Sequence, residues 1–329
     1  MLSRVAEAVY WMSRYIERAE NVARFVDVSL HLSLDLPFAD AGQWAALVAT
    51  AGDEEIFREK HGDADREKVL DFLTFDRDYP SSVIAALREA RDNARAARDV
   101  ISSEMWEQIN KAYLMVSEAA RTRVLDSPHA FYSAVKQASH LFVGATDLTM
   151  THNSSWHFAR LGRLLERADK TSRILDVKSF LLAPATADGG HLFDETQWAA
   201  LLRSASAFEM YRKRHGLIDP VHVTDFLMFE REFPRSILFC LTKAARSLKT
   251  ICGTGDSAQG THAERALGRL HAQFEYAVTR DVLDQGVHEY IDDFQTKLNA
   301  LGDFIATAFF APPPDRTQLV VQWRAEHQQ

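Results

Sequence analysis

The sequence predicts an all-α protein, an internally duplicated multi-helix bundle with pseudo-twofold symmetry. A segment at 156–177, WHFARLGRLLERADKTSRILDV, repeats the pattern of MSRYIERAENVARFVDV at 12–28, with corresponding positions 149 apart. In both copies the apolar side chains recur at the spacing of one helix face. The 329 residues include only 14 glycines and 9 prolines, which favours long helices with few tight turns.

Helix boundaries in the first half follow from caps, glycines and prolines. Ser3 is a favourable N-cap for the first helix, and Leu36 before Pro37 ends it because a residue before proline avoids helical geometry. Gly52 and Gly62 end the next two helices. The predicted helices span 3–34, 43–51, 54–61, 65–75, 81–101, 104–125 and about 128–147, and the second copy begins near 154.

The repeat continues past the first helix at a larger spacing of 154. QWAAL at 43 recurs at 197, FREKHG at 57 recurs as YRKRHG at 211, and VLDFLTFDRDYPSSV at 69 recurs as VTDFLMFEREFPRSI at 223. The five additional residues are assigned to a glycine-bearing loop near 186–196, since insertions concentrate in surface loops. The predicted organisation is a first helical repeat at 1–150, a second at 151–311, and a Pro-rich spacer with a C-terminal tail at 312–329.

The composition argues against two classes of binding partner. The formal net charge is −8 and no run of like charge occurs, which argues against nucleic acid and anionic membranes as partners. The N-terminus lacks the apolar core of a signal peptide, and no stretch reaches the roughly 20 apolar residues that span a bilayer. We therefore expect a cytoplasmic protein. Cys240 and Cys252 are expected to be unpaired, because twelve helical residues separate them by about 18 Å.

A stripe of charged residues follows the repeated helix in both copies. One interpretation is a solvated face with weak pairs along the helix. The favoured interpretation is a covered polar centre, because apolar residues such as Tyr10, Phe25 and Trp156 flank the stripe on the same face. The residues assigned to this centre are Arg14, Glu17, Arg24, Arg163, Glu166 and Arg173.

The repeated histidines allow either a metal site or a structural role. Glu17 and Glu166 could supply two carboxylates of a dinuclear helical bundle, and His61 and His215 recur before a glycine in both copies. The Glu-x-x-His pattern of such bundles is missing from these helices, and a histidine at a helix C-terminus also interacts favourably with the helix dipole. The structural role is favoured, and neither a metal nor a cofactor is predicted.

Two further motifs carry alternatives. In FDRDYPSS and FEREFPRS the proline fits the first turn of a helix, although the same turn could seat an anion beside Ser82, Ser236 and Arg235. The structural interpretation is favoured there.

The segment DLTMTHNSSW at 147–156 is not repeated and brings His152 and Asn153 to the joint between the halves. Its simpler interpretation is an ordinary connection with Asn153 or Ser154 as N-cap.

Several long motifs resemble the bacterial alpha-E domain family. They are IERAENVAR, LTFDRDYPSSV, ARDNARAARDVISSEMWEQIN, LTMTHNSSWHFARLGRLLERADKTSRILDVKSFLL and VHEYIDDFQ, and they cover nearly the whole chain in the expected order. The glutamates that name the family correspond to Glu17, Glu166 and Glu104. The resemblance implies an all-helical protein encoded beside, or fused to, a circularly permuted ATP-grasp protein. Transglutaminase-like and proteasome-like peptidases are often encoded nearby.

The resemblance and the charged stripe lead to three hypotheses. The first is an accessory or co-catalytic subunit that works in trans with an ATP-grasp amide or peptide ligase and binds a peptide or amino-acid-like substrate. The second is a stand-alone helical enzyme or metal-binding bundle that uses Glu17 and Glu166. The third is a structural interaction module without a ligand site. Arginine binds carboxylates and glutamate accepts an amine, so the candidate ligand-binding residues are Arg14, Glu17, Arg24, His152, Asn153, Arg163, Glu166 and Arg173.

Overall fold

The computed structural model describes residues 2–35, 40–122, 125, 127–181, 190–254 and 260–311. Within these ranges the fold is all-α, as predicted: fifteen α-helices and a π-helical turn, without a β-strand. The helices of the first half are α1 Ser3–Asp35, α2 Asp40–Ala51, α3 Glu54–His61, α4 Arg66–Thr74, α5 Val83–Ala96, α6 Ser103–Thr122 and α7 Pro128–Thr149. Those of the second are α8 Ser154–Leu181, α9 Gly190–Ser204, α10 Phe208–His215, α11 Pro220–Phe229, α12 Ile237–Cys252, α13 His262–Tyr276, α14 Thr279–Gln285 and α15 Val287–Ile305, followed by the π-helical turn Ala306–Phe310.

The two long helices α1 and α8 form the centre of the fold. They pack against each other, and each also packs along a shorter amphipathic helix, α5 for α1 and α12 for α8. Gly162 of α8 lies against the backbone of α1, where a Cβ atom would come within 2.3 Å of the Tyr10 carbonyl oxygen. A glycine is needed at this crossing because any side chain would push the two helices apart.

The apolar core is continuous across both halves. Large side chains that are almost fully buried come from the first half, such as Trp44 and Tyr79, and from the second, such as Tyr211 and Phe294. They belong to one contiguous cluster that also contains the inner faces of α1 and α8. The two sequence repeats therefore share a hydrophobic core, and burial of this core provides the main driving force for folding.

The two proline turns are built as helix N-termini. Ser82 Oγ accepts a hydrogen bond from the Ala85 N–H at 3.1 Å and donates one to the Asp76 carbonyl oxygen at 2.5 Å. Ser236 Oγ accepts from the Phe239 N–H and donates to the carbonyl oxygen of Glu230 in the same way. These contacts make Ser82 and Ser236 the N-caps, so each proline lies in the turn that precedes the helix and not in the first helical turn as predicted. Both hydroxyls are used inside the turn, which favours a capping role for Ser82 and Ser236, and the alternative anion seat stays a prediction.

Several predicted boundaries need correction. The helix predicted over 81–101 ends at Ala96, because the Ala97 N–H bonds to the Asn93 and Ala94 carbonyl oxygens and the chain continues in turns. Helix α9 begins at Gly190, so the part of the predicted loop from 190 to 196 is helical. The rest of that loop from 186 to 189, and the spacer and tail at 312–329, lie outside the described residues.

Both cysteines are free, as predicted. Cys240 is buried on α12, and burial raises the pKa of its thiol to about 12. Cys252 is partly buried at the end of the same helix. In the part of the chain that the structure describes, every helix is too short or too polar to pass through a bilayer.

Candidate functional site

Helices α1 and α8 exchange charged pairs at their buried interface. Arg18 of α1 donates to Glu166 through Nε at 2.7 Å and through Nη2 at 3.1 Å. Arg167 of α8 donates to Glu17 through Nε and Nη2, both at 2.8 Å. Each Glu-Arg dipeptide thus supplies the carboxylate of one ion pair and the guanidinium group of the other. We call these four residues the ion-pair cluster.

Each glutamate of the ion-pair cluster also binds a second arginine. Arg14 Nε donates to Glu166 at 2.9 Å from one turn earlier on α1. Arg235, in the turn before α12, donates to Glu17 at 3.1 Å and to both carboxylate oxygens of Glu20 at 2.9 Å. The two carboxylates are therefore surrounded by guanidinium groups, with exposed fractions of 1% for Glu17 and 0% for Glu166.

This environment fixes the charge of the glutamates. Burial by itself would raise their pKa values, but Arg167 and Arg235 lower the pKa of Glu17, and Arg18 and Arg14 lower that of Glu166. The net direction is downward for both, so both carboxylates are ionised at neutral pH. Burial also lowers the pKa of Arg235 to about 10, with repulsion from Arg167 as the next cause.

The other predicted arginines lie around the ion-pair cluster with different partners. Arg24 is paired with Glu20 one turn away on α1. Arg173 Nε donates to Asp169 at 3.0 Å. Arg163 does not reach Glu17 in the described structure: its Nε is buried without a hydrogen-bond partner, and burial lowers its pKa to about 10. The predicted polar centre is therefore covered, and the arginines that bind Glu17 directly, Arg167 and Arg235, were not among the residues assigned to it.

The joint residues lie far from this centre. Asn153 Oδ1 accepts from the Ser155 N–H at 2.9 Å, which makes it the N-cap of α8. His152 stacks on Trp156 with a centroid separation of 4.1 Å and is exposed. Thirteen residues separate Asn153 from Glu166, which corresponds to about 20 Å along a helix. The structure does not bring His152 and Asn153 together with Glu166, and their role in ligand binding stays a prediction.

The repeated histidines before Gly62 and Gly216 stack on aromatic rings. His61 lies 5.1 Å from the Phe57 ring centroid, and His215 lies 4.8 Å from that of Tyr211. Glu17 and Glu166 are paired with arginines rather than with these histidines.

A second repeated histidine was missed in the sequence. His129 Nδ1 lies 2.7 Å from Asp27 Oδ1, and His288 Nδ1 lies 2.6 Å from Asp176 Oδ1. Each pair links the first turn of a late helix to the long helix of the same half. His31 is also near Asp27, but the Asp27 carboxylate already receives a hydrogen bond from a lysine on α7. The spacing of this repeat, 159 residues, differs from the other two, which explains why comparison at fixed spacing overlooked it.

A small cavity opens beside the ion-pair cluster on the side of the first half. Its volume is about 180 Å³, and its exposed lining is almost entirely polar. It is lined by Arg14, Arg18, Ala51, Gly52, Asp53, Ser81, Asp169, Lys170, Arg173 and Asn299. A second cavity of about 340 Å³ shares three of these residues and extends under the π-helical turn. We call the first of these the Arg-lined cavity.

The walls of the Arg-lined cavity are held by contacts that orient the charged groups. Gly52, with φ +93°, lies directly against the Arg173 guanidinium, where a Cβ atom would come within 2.3 Å of Nη1. Asp53 accepts a hydrogen bond from the Tyr79 hydroxyl at 2.6 Å. Lys170 Nζ lies 3.4 Å from Asp169 Oδ2, and burial lowers the pKa of its ammonium group. The cavity can therefore receive hydrogen bonds at Asp53 and offer several cationic donors to an anion.

Sequence reasoning missed three of the residues that shape this site. Arg18 and Arg167 lie in the repeated stripe, but the helical projection did not distinguish them from solvent-facing charges. Lys170 was not among the residues assigned to the site. The signal that could have identified the first two is the recurrence of the Glu-Arg dipeptide at both copies of the long helix, at 17–18 and 166–167.

Comparison with known proteins places the Glu-Arg dipeptide in a wider context. The model of the Alpha-E family, described as a predicted alpha-helical domain with a conserved ER motif, matches residues 1–310. An uncharacterized protein of Mycobacterium bovis is 24% identical over 335 residues, covering 94% of this chain and 37% of that protein. Uncharacterized proteins of two Mycobacterium tuberculosis strains are 24% and 23% identical over the same shares. The chain thus spans little more than a third of the length of these relatives, and no solved structure matches it.

Proposed function

Because the chain belongs to the Alpha-E family of helical domains, we propose that it is a substrate-binding subunit that works with an ATP-grasp amide or peptide ligase. In this proposal it holds a peptide or amino-acid-like substrate in the Arg-lined cavity, and the partner ligase supplies ATP chemistry in trans in the cytoplasm. The observation that carries the proposal is the cavity itself, where four cationic side chains and two carboxylates converge between α1, α8 and α15. A transglutaminase-like peptidase would then act on the product.

The conserved ER motif fits a scaffold for this cavity rather than a catalytic pair. In both copies the glutamate binds the arginine of the opposite copy. A carboxylate that is enclosed in this way is not accessible as an acid, a base or a metal ligand, which weakens the hypothesis of a stand-alone enzyme. Glu104 is exposed and is followed by Met105, so of the three glutamates assigned from the resemblance only Glu17 and Glu166 lie in a Glu-Arg dipeptide.

We also propose that the two halves are related by a pseudo-twofold axis between α1 and α8. The reciprocal ion pairs support it, since Arg18 with Glu166 and Arg167 with Glu17 are equivalent under exchange of the halves. The matching hydrogen bonds of Ser82 and Ser236 support it as well. Duplication would place the cavity at the interface between two copies of one ancestral helical unit.

The greater length of the mycobacterial relatives is compatible with the partnership. They contain sequence beyond the region that this chain matches, as expected where an Alpha-E domain is fused to another domain. The rival function is an interaction module without a ligand site, in which the charged residues only join the halves. The arginines bound to Glu17 and Glu166 agree with a purely structural role, but the open, charged cavity beside these glutamates does not.

The test is co-purification followed by an activity measurement. The tagged chain, isolated from its own bacterium, should retain an ATP-grasp protein identifiable by mass spectrometry. In the reconstituted complex, Arg173→Gln should lower substrate-dependent ATP turnover about thirtyfold or more, because a charged donor in the cavity is lost. Arg121→Gln, on an exposed arginine of α6, is the control with the same change of charge.

Two results would overturn the proposal. The first is the absence of any ATP-grasp protein from the purified complex. The second is an Arg173→Gln complex that assembles, keeps its helical circular dichroism and turns over ATP at the parental rate.

A further inference from the structure

The two halves use corresponding positions in opposite ways. Ser81 and Arg235 correspond at the spacing of 154, and each follows the proline of its turn and precedes the capping serine. Arg235 extends inward, and its guanidinium donates to Glu17, to Glu20 and to Asn21 Oδ1 at 3.1 Å. In the second half, the place beside the ion-pair cluster is therefore filled by an arginine of the chain itself.

In the first half the corresponding place is open. The residues that correspond to Glu20 and Asn21 at the spacing of 149 are Asp169 and Lys170, and both line the Arg-lined cavity together with Ser81. The short serine leaves the space that Arg235 fills on the other side. Lys170 supplies from α8 the positive charge that Arg235 supplies from the turn.

We propose that the Arg-lined cavity binds one acidic amino acid, and that Arg235 occupies the corresponding place in the second half so that the chain has a single site. This inference rests on the proposed function and specifies its substrate as an amino acid with two carboxylates and one ammonium group. The geometry points to a site that is open in one copy of the repeat and closed by the chain's own arginine in the other.

The charge around the cavity matches such a ligand. Four cationic side chains line the cavity. Three carboxylates lie beside them: Asp53 and Asp169 in the lining, and Glu166, which is paired with Arg14 and Arg18. One positive charge is therefore in excess. An acidic amino acid carries a net charge of −1, so its binding neutralises the cavity without leaving a buried charge unpaired.

The individual groups also suit this ligand. Arg18 and Arg173 both line the cavity, and guanidinium groups form strong, charge-assisted hydrogen bonds with carboxylates. Asp53, oriented by the Tyr79 hydroxyl, is available for the ammonium group. The volume of about 180 Å³ lies below the roughly 300 Å³ at which pockets for drug-sized ligands begin, which fits a single amino acid.

The first experiment measures binding to the isolated chain by titration calorimetry with L-glutamate as the probe. One molecule should bind per chain. Ser81→Arg should weaken binding at least about thirtyfold, because the new side chain fills the cavity with a competing cation. Ser103→Arg adds the same charge on the exposed start of α6 and should leave the affinity unchanged.

The second experiment opens the closed half. Arg235→Ser combined with Asn21→Lys recreates in the second half the pair formed by Ser81 and Lys170 in the first. A folded double variant should bind a second molecule of L-glutamate, more weakly than the first, because the residue that corresponds to Asp53 is Ala207. Glutarate, which lacks the ammonium group, should bind the parent chain more weakly than L-glutamate, and L-lysine and inorganic phosphate should bind more weakly still.

The proposal is overturned if Ser81→Arg folds and binds L-glutamate as the parent does, if the parent binds two molecules, or if inorganic phosphate binds more tightly. A double variant that folds and still binds only one molecule also overturns the role of Arg235. These results are separable from failure of the proposed function. A chain that binds L-glutamate but retains no ATP-grasp protein would remove the partnership and leave the site intact.

Discussion

At the scale of single residues, Glu17 and Glu166 decide how the two long helices meet. Both are ionised inside the protein, where an isolated charge would be very costly, and both are surrounded by guanidinium groups. A buried ion pair adds little net stability, since loss of hydration offsets the attraction. Here the ion pairs fix the position of α8 relative to α1, because a shift of α8 along α1 by one residue would leave several charges unpaired.

Loss of one of these carboxylates should be severe. We expect Glu17→Ala to lower the free energy of unfolding by about 3–5 kcal/mol, because Arg167 and Arg235 would remain buried without their partner. Chemical denaturation of the purified protein measures this difference. Glu7→Ala, on an exposed residue of the same helix, should change stability by less than about 0.5 kcal/mol. Equal midpoints for the two variants would contradict the role assigned to Glu17.

At the scale of helices, the close approach of α1 and α8 brings the charged groups within bonding distance. Gly162 lies against the Tyr10 backbone one turn before Glu166, so the two helices approach closely beside the ion-pair cluster. The cavity forms on one side of this crossing, where α2 ends at Ala51 and Gly52 turns the chain beneath Arg173. The helices thus provide a rigid frame, and the connections complete the cavity wall.

Replacement of the crossing glycine tests this arrangement. We expect Gly162→Ala to lower the free energy of unfolding by about 1–3 kcal/mol, because the new methyl group overlaps the carbonyl oxygen of α1. Gly268→Ala is the matched control in helix α13, where a Cβ atom would meet nothing within 4 Å. That control should gain about 0.5–1 kcal/mol from the better helix propensity of alanine. Similar effects of both changes in thermal unfolding would show that the crossing tolerates a wider separation.

At the scale of the whole molecule, the two sequence repeats are parts of one folded unit. The hydrophobic core runs through both, and α1 of the first repeat has α8 of the second as a principal neighbour. Each repeat also supplies a buried carboxylate that is bound by arginines of the other repeat.

This arrangement predicts the behaviour of separated halves. Residues 1–150 and 151–311, each expressed alone, should lack a stable fold, because each would expose the apolar face of its long helix and a charged stripe without partners. Co-expressed, they should assemble into a one-to-one complex with helical circular dichroism close to that of the intact chain. Cooperative thermal unfolding of either half alone would mean that the repeats are independent domains.

The sequence by itself determined the helical class and most of the elements. Helical periodicity, caps and glycines are local signals, and α3 at Glu54–His61 agrees with its predicted bounds. The covered polar centre was also predictable, since the repeated stripe has apolar neighbours on the same face. The end of α5 and the start of α9 were not, because tertiary packing decides whether such a segment stays helical.

Only the tertiary structure decided which charges meet and where space remains. Periodicity places Arg18 and Arg163 on the same polar stripe, but only the crossing of α1 and α8 reveals that Arg18 binds Glu166 and that Arg163 does not reach Glu17. Likewise, Ser81 and Arg235 differ by one substitution within a repeated turn. Ser81 lines a cavity, whereas Arg235 binds Glu17. This difference depends on helices far apart in the chain, because a cavity is a property of packing between segments and has no local signature in the sequence.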